Sequence, residues 1–359
     1  VRSVRRLLAG ALLFLSLGLA AGAAPARPSQ PRTLATTHGR IYAFAQDGDW
    51  IGWIAEAGFV RVRRLSTRRT WVVGRVDAGR ANTAALALAG SRALWAFDSG
   101  GNSVETAIAE GSPGTKAVSV DLLSGGVRGV GDGVRFGGVA GDGSTLAYGW
   151  VVEQCPDQWL GICEPGVPDQ LVATGGGVTL VPTGQPTSKA IAGVALPAIF
   201  AVGSGRVAVA PARSPAPMGE WTPRVAEDGP VDVYDLAGHL LMSVNEQGIV
   251  RGVALTGHKL AVLFERPDET KEIRRFDARN GTYLSTSGPL AIGATDLSTS
   301  SGGIVFRVGR EIYRLRGRTP QLLARARATP IGLSIEGRRV AWAENVHGHG
   351  RIRALTLPR

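Results

Sequence analysis

Cysteine is nearly absent from this chain: two residues in 359. That excludes a disulfide-stapled miniprotein and any metal module built from several thiolates. Lysine is scarce as well, with four residues beside 36 arginines. Charged residues make up 19% of the chain against 44% hydrophobic, so it is no disordered polyelectrolyte. Long apolar runs are missing except for one, at the very start. No segment outside that run keeps a 3.6-residue apolar period over three turns, so a helical fold is excluded. Catalytic signatures are missing too: no Gly-x-Ser-x-Gly, no His-Glu-x-x-His, no phosphate-binding glycine loop ahead of a helix, and no EF-hand loop. What is abundant is glycine, 50 residues, which points to many turns and therefore many short strands.

Residues 1–26, VRSVRRLLAGALLFLSLGLAAGAAPA, have the form of a secretory signal peptide. Arg2, Arg5 and Arg6 form the positive head, Leu7 to Ala24 the apolar stretch, and Ala-rich positions the cleavage site. The competing reading is an uncleaved anchor. Cleavage implies a secreted or periplasmic protein that does not span the membrane, and residues 27–359 as a single domain. It also lowers the net charge from +11 to +8. That remainder is uneven: residues 251–359 carry +10 and residues 27–250 carry −2. A basic sector can attract anionic polymers, or it can be a solvated rim protecting sheet edges. Nucleic acid is disfavoured by secretion and by the lack of a binding motif.

The remaining chain repeats. A glycine or polar turn followed by a short strand with an apolar centre recurs seven times, centred on Trp53, Trp95, Tyr148, Val209, Val262, Phe306 and Trp342. The steps are 42, 53, 61, 53, 44 and 36 residues. Each copy follows an apolar strand and precedes an alternating one, with glycine hairpins such as DLAGHL and DARNGTY leading to a fourth. This predicts an all-β fold, a seven-bladed β-propeller of four-stranded antiparallel blades. Its last unit has only three convincing strands, so TLATT at 33–37 is expected to supply the fourth and close the ring.

VAGDGSTLAYGW at 139–150, LSIEGRRVAWAEN at 333–345 and VDVYDLAGHL at 231–240 resemble the repeat of TolB-type propellers, WD-repeat-like in outline. The resemblance implies the fold, an extracytoplasmic location and a tendency to bind other macromolecules. It brings no catalytic residues and no cofactor.

Two insertions interrupt the repeat, at 151–177 and 211–230. Both fall between the second and third strands of adjacent units, so their loops are expected to be neighbours on one face. Cys155 and Cys163 lie in the first, and secretion predicts a disulfide between them. The same loop holds Glu153, Asp157 and Glu164, and the second holds Glu220, Glu227 and Asp228. Trp159 and Trp221 lie outside the strand pattern and are candidate anchors for a partner, the alternative being packing beneath their own loops. Glu344, His347 and His349 form a weak metal candidate, because residues two apart on an extended chain face one side. The expectation is a secreted, monomeric, non-catalytic propeller that binds a protein or envelope polymer through the loop face. The alternative is a secreted hydrolase or metal-dependent lactonase with its site at the central channel.

Overall fold

The computed structural model describes residues 29–98, 103–110, 118–124, 133–154, 172–182, 189–191, 197–211, 226–227, 230–245 and 248–358. These residues form seven antiparallel sheets. Blade one contains Ile41–Asp47, Trp50–Ala55, Phe59–Arg64 and Thr70–Arg75, in that order from the axis outward. The innermost strands of the following sheets are Ala85–Ala89, Gly133–Asp142, Pro197–Gly203, Ile249–Thr256, Ala294–Ser300 and Ile331–Glu336. Each innermost strand packs against the next, and Ile331–Glu336 packs against Ile41–Asp47. Sheets arranged around a common axis in this way make a β-propeller.

Burial explains the sequence pattern. In blade one the second strand is buried at five consecutive positions, Ile51 to Ala55, because neighbouring blades cover both faces of its sheet. The third strand, Phe59–Arg64, alternates, with Val60 and Val62 fully buried toward blade two. Farther from the axis the wedge between blades widens, so one face meets solvent and the period-2 pattern returns. All seven repeat centres fall on second strands, and Trp95, Tyr148, Phe306 and Trp342 are among the largest fully buried side chains. Arg32–Thr36 is the outermost strand of the last sheet and pairs antiparallel with His349–Thr356.

Two expectations about the blades need correction. The fifth sheet has five strands, not four: Ala226–Glu227, from the second insertion, pairs with the inner strand of blade five at Val250 and Ile249. The inner strand starts at the rim of the channel, where its free edge can accept one more short partner. The first insertion is also shorter than its boundaries suggested. Thr145–Gln154 and Val172–Pro182 run as a paired hairpin, so 151–154 and 172–177 belong to the sheet.

Among the described residues no helix is long and apolar enough to cross a membrane. The only helix there is a 3-10 segment, Ala78–Thr83, capped by the Asp77 carboxylate on the Gly79 amide.

Candidate functional site: the central channel and its acidic mouth

All seven inner strands run the same way, from the face that carries the insertions to the opposite face, where tight turns lead into the second strands. They enclose a cavity of about 400 Å³. Its depth is lined by Phe44, Leu86, Val139, Phe200, Val253 and Leu297. At the turn face the lining becomes polar, with Asp47, Asp142 and Glu336 as the last residues of three inner strands.

These carboxylates fasten the blades to one another. Asp47, only 6% exposed, accepts hydrogen bonds from the Gly90 amide of blade two and the Gly143 amide of blade three. Asp142 accepts from the Ser204 amide of blade four at 2.7 Å. Ser204 Oγ in turn accepts from the Gly257 amide of blade five, also at 2.7 Å. Ser300 Oγ of blade six donates to the Gly337 carbonyl of blade seven at 2.6 Å. Glu336 of blade seven accepts from the Gly48 amide of blade one. Arg339 adds a second seven-to-one link, donating from Nε to Gln46 Oε1 at 2.9 Å and from Nη2 to the Gly48 carbonyl.

Burial pushes the Asp142 carboxyl up, opposed by the Ser204 amide and reinforced by the negative charge of Asp47. Burial likewise raises Glu336, with Asp47 and Asp142 adding to the effect and Arg339 opposing it. The mouth therefore favours a cation or a proton. Its acids are held by turn amides, however, and among the described residues no three His, Cys, Asp or Glu are grouped to hold a metal ion.

The sequence-derived site residues fall elsewhere. Cys155, Asp157, Trp159, Cys163, Glu164, Glu220, Trp221 and Asp228 lie outside the described residues. Glu153 and Glu227 are placed on strands of blades three and five, at the insertion face. Glu344 is 1% exposed, and its carboxylate accepts from Arg351 Nε at 2.6 Å and the Arg327 amide at 2.7 Å. His347 occupies the tight turn after the second strand of blade seven with φ +52°, and His349 Nδ1 lies 2.8 Å from the His38 carbonyl oxygen. The metal candidate thus becomes a buried ion pair, a turn residue and a link to the neighbouring blade.

Asp47, Asp142 and Glu336 were not singled out from the sequence as site residues. Their signal was an acid directly before the turn glycine of the repeat (Asp47-Gly48, Asp142-Gly143, Glu336-Gly337), which reads first as turn chemistry alone. Part of the basic sector is paired internally. Arg251 makes a two-pronged pair with Glu265, and Arg266, Arg274, Arg279, Arg307 and Arg325 each meet a carboxylate of the same sector.

No protein-family model matches the chain. No curated protein matches it either. Among solved structures it is similar to the crystal structure of the computationally designed Ika8 protein, with 15% identity and a TM-score of 0.51. The match covers 89% of this chain and 99% of the designed one. At that identity the likeness concerns the fold.

Proposed function

We propose that this protein is a secreted, non-catalytic propeller of the TolB type that binds a protein or a cell-envelope polymer through its insertion face. One observation carries the reading. The stems of both insertions rise on the same face of adjacent blades, and the second reaches across to pair with the inner strand of blade five. Extended loops on a rigid sheet scaffold, gathered over neighbouring blades, form a surface on which large contacts can be built. The signal peptide at 1–26 and a Cys155–Cys163 disulfide belong to the same reading, since export supplies the oxidising compartment in which that loop would be clamped.

A second reading places a hydrolase or metal-dependent lactonase at the channel. Three carboxylates converging on one mouth favour it. Their engagement by turn amides speaks for a structural task instead.

The test is affinity capture from an envelope extract with three proteins: the parent, a variant with 212–225 replaced by a short glycine-serine turn, and the turn-face variant Arg316→Gln. A partner held by the parent and by Arg316→Gln, but lost from the loop variant, is expected. Unchanged recovery of every partner by the loop variant would sink the proposal. N-terminal sequencing of the exported protein, and its mass with and without reductant, test the leader and the disulfide.

A further inference from the structure

A second cavity, of about 720 Å³, lies on the seam between blades seven and one, away from the channel. One wall is the segment from Ala35 to Gly39, which links the edge strand of blade seven to blade one. The other is the face of blade one that bears Trp53, Phe59, Arg61 and Arg63. The cavity exists because the inter-blade core stops short here. Trp53, Phe44 and Ile51 pack against Ala341, Ala343 and Ile352 near the axis. Farther out, the third strand of blade one presents Phe59, Arg61 and Arg63 as a row on that side, since alternate residues share a face.

The repeat gives this row its meaning. Arg61 pairs across the sheet with the repeat centre Trp53. The equivalent residues opposite the centres of blades five and seven are Arg274 and Arg353. Arg274 is bound to Glu272, and Arg353 lies 3.9 Å from Glu344 while donating to the Pro31 carbonyl. In blade one the carboxylate is missing. Arg61 rests over the Phe59 ring, its guanidinium carbon 5.2 Å from the centroid, and neither Arg61 nor Arg63 has an acidic partner among the described residues. The one acid lining the cavity, Glu56, accepts from the Arg40 amide at 3.0 Å.

We infer that this seam cleft is a binding site for a small amphipathic carboxylate, its apolar body against Phe59 and its anionic head on Arg61 and Arg63. Cavities of this size, largely apolar with a few convergent polar groups, are the usual form of small-molecule sites. Two adjacent guanidinium groups suit a planar oxyanion better than any neutral head.

Equilibrium dialysis of the full chain with 1-naphthoate and with neutral 1-naphthamide tests the assignment. Naphthoate is expected to bind roughly tenfold more tightly, the contribution of one charge-assisted hydrogen bond. In Arg61→Gln/Arg63→Gln that preference should vanish, while Arg61→Lys/Arg63→Lys should keep part of it. Thr70→Trp, at the cleft rim, leaves both arginines in place and should block naphthoate. Inorganic phosphate at equal concentration should not displace it. Equal binding of the two naphthalenes, an unchanged preference in the glutamine variant, or full displacement by phosphate would each overturn the inference.

Discussion

Removing the carboxylate of Asp47 should loosen three blades at once. Its oxygens accept from two backbone amides that lie 43 and 96 residues away in the chain, and the residue is 6% exposed. A hydrogen bond to a charged group contributes about 1.5–3 kcal/mol, and a donor left without a partner carries its desolvation cost. Two such bonds set the loss for Asp47→Ala at roughly 3–6 kcal/mol. The lower end is favoured, because Asp47 also repels Asp142 and Glu336, and its removal relieves both. Asp47→Asn keeps an acceptor without the charge and should lose about half as much. For a fold whose total stability is on the order of 5–15 kcal/mol, either change is large. Urea unfolding followed by tryptophan fluorescence gives the measurement, with the slope unchanged if only the folded state is affected. The same variants should lower the pKa values of Asp142 and Glu336, readable by carboxyl carbon NMR. If both variants unfold within about 0.5 kcal/mol of the parent, the size expected of an inert surface change, the turn-amide belt is not what joins the blades.

Stability should pass through a maximum in mildly acidic solution. The raised values of Asp142 and Glu336 mean that these groups take up protons more readily folded than unfolded, so their contribution grows as pH falls toward the ordinary carboxylate range near ~4. Below that range the depressed carboxyls take over: Asp277, held at about 2 by Arg279, and Glu265, lowered by Arg251, favour the folded state only while ionised. A steady decline in the urea midpoint from pH 7 downward would refute this ordering. Gly141→Ala should destabilise by roughly 1–3 kcal/mol, because a Cβ there would sit 2.2 Å from the Leu88 carbonyl oxygen of the preceding blade; a thermal melt matching the parent would contradict it. Glu344→Ala should cost about 3–5 kcal/mol by leaving Arg351 and the Arg327 amide without their buried partner, and an effect under about 1 kcal/mol by denaturant titration would remove Glu344 from that role.

The local parts of this fold are written in the sequence. A turn glycine, a two-sided apolar strand and an alternating third strand recur because each blade solves the same problem: its inner half is covered on both faces and its outer half on one. Trp53, Trp95, Tyr148 and Trp342 stand at the centres of that repeated strand for that reason, and each is buried. A bulge near the start of the inner strand, seen at Ile41/Ala43, Val250/Gly252 and Ile331/Leu333, left no such mark, since it answers to strand twist around the axis rather than to side-chain type. The extra strand Ala226–Glu227 was hidden inside a segment that reads as loop, because two residues are too few to show a period.

The sites divide along the same line. The sequence by itself determined the blade repeat, the two insertions and the uneven charge, all of which depend on neighbours within a few residues or on composition. Only the tertiary structure decided that Asp47 reaches the turns of blades two and three. It alone placed Arg61 and Arg63 over a cleft beside Ala35 to Gly39. Those relations join segments distant in the chain, which neither composition nor local pattern records.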